Sequence, residues 1–350
     1  MMKINISRRS ALRVVAAGGA SLAMGRAWAE GKTGRPIYPV AIPIYQSQFV
    51  ADRAGFFKEA GLDCKLTQGG SGVKTRELIA SGQGDIGIGD VTHPMQLSNH
   101  GRNARVVLPV DTRSNACVFI IRKDLKDQGI DTLEKFAAWK RPDGKKPIMS
   151  VSSLGGTNHV WASYYMEVMK LDDKVSWIGT GTVDTMMGTL KTKQVDVLIN
   201  SPAILNDAMQ QGWGALLFDG TDEKIWNKYI GGKVPVTSHF TLQATIDKDP
   251  ALMQAFVTAL WRATQWIKTH SPEEIYAMIE PYVASTSKEA NIADITVMKS
   301  VTDFDGTIDD ASFERGSKVW FREMTGIKPL KKEDILALNF AEKARKDFPA

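Results

Sequence analysis

The chain has 350 residues, too many for one compact core, so two domains or lobes are expected. Its composition, 43% hydrophobic and 24% charged, is ordinary for a soluble protein. The 44 basic and 39 acidic residues give a formal charge of +5, but Lys3, Arg8, Arg9, Arg13 and Arg26 stand at the start with no acid among them. The remainder is neutral, which removes any general electrostatic reason to bind nucleic acid or a membrane.

Residues 1–29 read as an export signal. "SRRSALR" places two arginines before the apolar run Val14 to Met24, and "AWA" at 27–29 supplies the small residues of a cleavage site. The pair Arg8-Arg9 points to the twin-arginine route, although Ala11 stands where that signal usually has an aromatic. The apolar run is about half the ~20 residues a membrane span needs. The expected location of the mature protein is therefore the periplasm. Cys64 and Cys117 are the only cysteines; they form either one disulfide or two buried thiols. The five histidines have no short-spaced pair, so no zinc site, metal or cofactor is expected.

In chain order, "YPVAIPIY" (38–45) reads as a strand and "QSQFVADRAGFFKEAG" (46–61) as an amphipathic helix stopped by Gly61. "LDCKLTQ" reads as a strand, "SGVKTRELIASGQ" as a helix capped by Ser71, and "DIGIGD" (85–90) as a strand. This β-α-β-α-β order implies a mostly parallel sheet flanked by helices. "RVVLPV" then leads through "DTRSN" into the apolar "ACVFIIRK". After a charged connection at 140–147 the grammar repeats: strand "IMSVSS", a Gly-Gly loop into a helix from "LGGTNH", strand "KVSWIG", helix "TVDTMMGTLKTKQ" and strand "VDVLINS". "SHFTLQATIDKDP" is a further strand, and the rest is almost all helix, with Asp249-Pro250 and Ser271-Pro272 as helix starts.

The expected fold is α/β, with two lobes built on mixed, mostly parallel sheets and joined by a two-strand hinge. Lobe one takes residues 35–115 plus 242–350 and lobe two takes 116–241. The late helices, "SFERGSKVWFREM" among them, are expected to pack on the first sheet.

In such sheets ligands bind beyond the carboxyl ends of strands. Asp90 and Thr92 end one repeat, and Ser201 ends the other. Each is either a helix cap or a group facing the cleft. "SSLGGTNH" (152–159) is the sharpest local signal: Gly155 and Gly156 allow a tight turn, and Thr157 or Asn158 opens a helix whose N–H groups suit a small anion. The loop has no lysine and no phosphate-loop consensus, so a nucleoside triphosphate is not indicated. Tyr45 opens the equivalent turn of lobe one. Arg113, in the hinge, either faces an anion or is a solvated surface charge. No nucleophile, base and orienter come together in the sequence, so no enzymatic activity is expected.

"YQSQFVADRAGFFKEAGLD", "ELIASGQGDIGIGD" and "DPALMQAFVTALWRATQWI" resemble stretches of periplasmic solute-binding proteins of the nitrate, sulfonate and taurine ABC-importer type. The resemblance implies a type II bilobal fold that closes on a small ligand and delivers it to a membrane permease driven by an ATPase. It places ligand contacts at Tyr45, Gln46 and Ser47, at Asp90, Val91 and Thr92, and at Gly155, Gly156, Thr157 and Asn158, with "GGTNH" standing where a "GS…H"-like run is common. Sulfonate, taurine, nitrate or a carboxylate are the implied candidates, bound by a monomer. The alternatives are binding of a pyrimidine precursor, a related biosynthetic enzyme, or service as the ligand-binding partner of a membrane sensor. A fungal enzyme group of the same fold uses iron and a cysteine-rich motif, against which two isolated cysteines and an export signal both argue.

Overall fold

The computed structural model describes residues 31–283 and 287–349; the export signal lies outside the described residues. Two five-stranded sheets organise the chain. The first runs Thr67–Gln68, Pro36–Tyr38, Ile86–Asp90, Thr237–Leu242, Ala104–Pro109, and the second runs Ser176–Gly179, Ile148–Val151, Val197–Asn200, Val118–Arg122, Gly214–Asp219.

The orders match position for position. In each sheet the second strand of the repeat lies outside the first, the third lies inside it, then comes the strand that enters from the other lobe, then the fourth. That entering strand is antiparallel to both neighbours in both sheets: Thr237–Leu242 in one and Val118–Arg122 in the other. The other strands of each sheet share one direction. The repeated β-α-β-α-β grammar of the sequence is therefore a repeated topology, and both crossings between lobes end in a reversed strand.

The registers put both third strands against these crossings: Asp90 lies opposite Thr237 and Asn200 opposite Val118. The two crossings are tied to each other by Asp111, whose side chain is fully buried. Its carboxylate accepts the Val236 N–H at 2.7 Å and the Thr237 N–H at 3.0 Å, and Val234 N–H donates to the Thr112 carbonyl at 2.9 Å.

Local chemistry fixes the element ends. Ser71 accepts the Lys74 N–H at 3.1 Å, and Asp249, with Pro250 behind it, accepts the Leu252 N–H at 2.9 Å. Ser271 and Glu274 form a reciprocal capping box. Gly55, at φ +79°, interrupts the first long helix, giving Gln46–Arg53 and Phe56–Glu59.

Three expectations are corrected. The strand read over 38–45 is Pro36–Tyr38 alone; Pro39 and Pro43 lack the N–H a ladder needs, and Pro43–Tyr45 is a 3₁₀ turn. Residues 237–241, read as the end of lobe two, lie in the first sheet because they pair on both edges there. The helix Asp310–Trp320, expected on the first sheet, packs against the helix Thr157–Val168 of the second lobe; Val319 and Trp320 are buried in an apolar cluster that joins Trp161 and Trp226 of that lobe to Val91, Met95 and Val106 of the first. The strand Gly214–Asp219 and the helix Lys288–Val301 were not singled out in the sequence. Cys64 and Cys117 are both free thiols, and burial pushes Cys64 up to about 12 and Cys117 up as well.

Candidate functional site

In the first lobe the site begins where Ile86–Asp90 ends. The Thr92 N–H and hydroxyl both donate to Asp90 Oδ1, at 2.8 and 2.6 Å. Between them Val91 is buried and its N–H donates to the Val236 carbonyl at 2.9 Å. The turn is thus anchored to the interlobe crossing. Asp90 Oδ2 is buried with no hydrogen-bond partner among the described residues. Burial first and the charge of Asp90 second push the Tyr45 hydroxyl well above its ordinary range, so Tyr45 and Asp90 lie within electrostatic reach of each other.

Gln46 and Ser47 start the helix Gln46–Arg53 and are both buried. Ser47 Oγ is hydrogen-bonded to His239 Nε2 at 3.1 Å. Gln46 Oε1 has no partner. His239 and His93 are buried and neutral: desolvation lowers His239 to about 3 and His93 to about 4, the latter against the pull of Asp90. The His93 ring lies where a side chain on Gly72 would stand, 2.9 Å from an ideal Cβ, so the helix Gly72–Ala80 can lie close beside Thr92–Asn99 only with glycine at 72.

In the second lobe the strand Ile148–Val151 opens into Gly155, at φ +76°, and Gly156, which precedes the helix Thr157–Val168. No side chain caps this helix. Gly155 N–H donates to His159 Nδ1 at 2.9 Å and Gly156 N–H to the Ser153 carbonyl at 3.2 Å. The N–H groups of Thr157, Asn158 and His159 have no partner within the described residues. Aligned free donors at the positive end of a helix are a geometry that can hold an anion. Burial, then Arg322, lowers His159, and accepting the Gly155 N–H at Nδ1 requires that nitrogen unprotonated. Asn158 turns inward, its Nδ2 donating to the Ile199 carbonyl at 3.3 Å.

Two residues singled out from sequence are engaged elsewhere. Ser201 precedes the helix Pro202–Gln210 and donates to Asp294 Oδ2 at 3.2 Å, while Ala203 N–H donates to Asp294 Oδ1 at 3.1 Å. Arg113 donates to the Thr221 carbonyl and the Ser300 hydroxyl, both at 3.4 Å, with Glu223 at 3.9 Å, which holds it in the crossing. Asp90 and Thr92 are thus joined on one lobe, with Tyr45 within reach of the Asp90 charge, and Gly155 to Asn158 form one turn on the other. Asp294 and Arg76 were missed. Both read in sequence as ordinary charges on helices.

Two antiparallel-entered α/β lobes, joined by crossings and carrying polar strand ends beside them, define the periplasmic binding protein fold. The model of the NMT1-like family matches residues 40–280, and the chain belongs to that family. It is 24% identical to YtlA of Bacillus subtilis (strain 168) over 266 residues, 70% of this chain and 71% of that one. Its fold is similar to the periplasmic nitrate-binding protein NrtA from Synechocystis PCC 6803, with TM-score 0.69, 15% identity, and 91% and 90% of the two chains covered. It is equally similar to the alkanesulfonate-binding protein SsuA from Xanthomonas axonopodis pv. citri bound to MOPS, with TM-score 0.68, 12% identity, and 88% and 100% covered. The type II bilobal fold implied by the sequence resemblance is the fold observed. No helix among the described residues is long and apolar enough to cross a membrane.

Proposed function

We propose that this chain is the periplasmic solute-binding component of an ABC importer, that it holds a small anionic solute between its lobes, and that it performs no chemistry. The observation that carries this reading is the row of unpartnered N–H groups at Thr157, Asn158 and His159 behind the Gly155-Gly156 turn, a seat of one anionic group's size and charge. Asp90, Thr92 and Tyr45 would meet the solute from the other lobe, so closure is favoured only when the ligand touches both. Sulfonate, taurine, nitrate and carboxylate are the candidate solutes; the nitrate-binding and alkanesulfonate-binding proteins of like fold support that range. A permease with its ATPase would be the partner, and a monomer the working form. The state of the nucleophilic side chains supports a role without catalysis. Burial pushes both thiols up, and His93 and His239 are enclosed and neutral.

The test is a thermal-shift panel of sulfonates, nitrate, aliphatic and aromatic carboxylates, phosphonates and pyrimidines. A ligand at one hundred times its Kd stabilises by about 2.7 kcal/mol. The reading expects an anionic hit, recovered chemically unchanged. A hit that is consumed, or a best ligand that is uncharged, would count against it.

A further inference from the structure

The segment 322–328 straps one lobe to the other. At one end Arg322 holds the helix Thr157–Val168: its Nη1 pairs with Glu167 at 2.8 Å and its Nη2 donates to Ser163 Oγ at 3.1 Å. At the other end Asn99, on the helix Thr92–Asn99, accepts the Lys328 N–H at 2.7 Å and donates to the Lys328 carbonyl at 3.3 Å. Beneath the strap is a cavity of about 300 Å³ lined by Arg76, Gln96, Asn99, His100 and the turn Thr325 to Ile327.

Arg76 is partly buried there and has no hydrogen bond or ion pair among the described residues. Arg105, also partly buried, is by contrast engaged by Gln243. Burial lowers Arg76 from its ordinary value, and the charges of Glu77 and Asp90 act on it only through space. Beside it Gln96 Oε1 is buried without a partner, and a half-turn of that amide presents its NH₂ instead. A partly buried, unpaired guanidinium next to an unsatisfied amide is complementary to an oxyanion, which a guanidinium grips with two parallel N–H bonds.

We propose that the cavity under the strap is an oxyanion site, in which Arg76 and Gln96 bind the carboxylate, sulfonate or phosphate group of a small molecule. The site goes beyond the anion seat at Thr157, and it touches both lobes through the strap. Occupation would therefore tighten the same closure. If the solute is long enough to reach from one seat to the other, Arg76 reads its second anionic group.

Calorimetric titration of the mature chain with methanesulfonate, acetate and inorganic phosphate, separately, tests this. At least one is expected to bind the wild type, with Arg76→Gln weakening it about ten-fold or more and Arg76→Lys weakening it less, because the charge is kept and the fork is lost. Ligand-free Arg76→Gln should melt at or above the wild-type temperature, since it removes an unpaired charge; an arginine that only supported the fold would melt lower. If a probe binds and Arg76→Gln binds it equally, the Arg76 site is overturned while the receptor reading stands, and Thr157 variants then locate the seat. If none of the three binds, this site is overturned, and the thermal-shift panel alone decides the receptor reading.

Discussion

Asp294 and Ser201 meet across the two lobes, Ser201 Oγ donating to Asp294 Oδ2 at 3.2 Å. The helix Pro202–Gln210 has no side-chain cap of its own; the carboxylate of a helix packed on the first lobe performs that function, taking the Ala203 N–H as well. A cap from a distant helix makes one lobe's stability depend on the position of the other. In Asp294→Ala the Ala203 amide should exchange with solvent faster, and stability should fall by about 1 kcal/mol, the usual value of a lost cap. Asp294→Asn keeps an acceptor and should lose less. Unchanged Ala203 exchange in Asp294→Ala would show that the contact does not hold the lobes together.

Two buried carboxyls give the fold an unusual pH dependence. Burial raises Asp111 to about 7 and Asp294 to about 6, in both cases against the hydrogen bonds they accept. Folded, they retain protons that the unfolded chain releases above about pH 4. Their contribution is therefore complete below that pH and is lost as pH rises through 6 to 7. His93 and His239 act in the opposite sense: lowered to about 4 and about 3, they cost stability as pH falls below about 6.5. The two effects nearly cancel, so melting temperature should change little between about pH 5.5 and 7.5. In Asp111→Asn, whose amide oxygen can still accept from Val236 and Thr237, the carboxyl effect is halved and the histidine effect is uncovered, so melting temperature should rise as pH rises from about 5 to 7. A pH profile as flat as the wild type's in the variant would remove Asp111 as a contributor.

Gly155 and Thr157 separate folding from binding. Thr157 caps nothing, so Thr157→Ala should change stability by no more than about 0.5 kcal/mol while altering the edge of the anion seat. Gly155→Ala places a side chain at φ +76°, costing about 1–2 kcal/mol, and turns the donor row away from its target. Affinity should fall in both, and by more in Gly155→Ala. Affinity unchanged in both, measured by titration with the thermal-shift hit, would move the anion seat elsewhere.

Asp90 is the mixed case. Asp90→Ala releases the Thr92 N–H and hydroxyl and should cost about 1 kcal/mol of stability. If Asp90 also faces the solute, the loss of affinity will exceed what that destabilisation explains. Equal melting loss with unchanged affinity would leave Asp90 as the support of a turn and nothing more.

Much of this was legible in the sequence because it is local. Strand ends such as "GDIGIGD", glycine turns such as "LGGTNH" and caps such as Asp249 are set by neighbours within a few residues. The repeated grammar also revealed two lobes. What stayed hidden is decided by distant partners. Asp294 reads as a helix charge until Ser201, far away in the chain, comes to meet it. Arg76 in "KTRELI" looks no different from Lys74, which does pair with Glu77; only the fold shows that Arg76 has no such partner among the described residues. The helix Asp310–Trp320 carries a clear apolar face, but amphipathicity says that a face is buried, not against which lobe.

The most direct test of a solute held between two lobes is small-angle X-ray scattering of residues 30–350, alone and saturated with the strongest anionic ligand. Closure should make the liganded protein more compact, with a smaller radius of gyration, and the change should disappear in Gly155→Ala under the same ligand concentration. A ligand that binds and stabilises while leaving the scattering curve unchanged would contradict a site shared by both lobes.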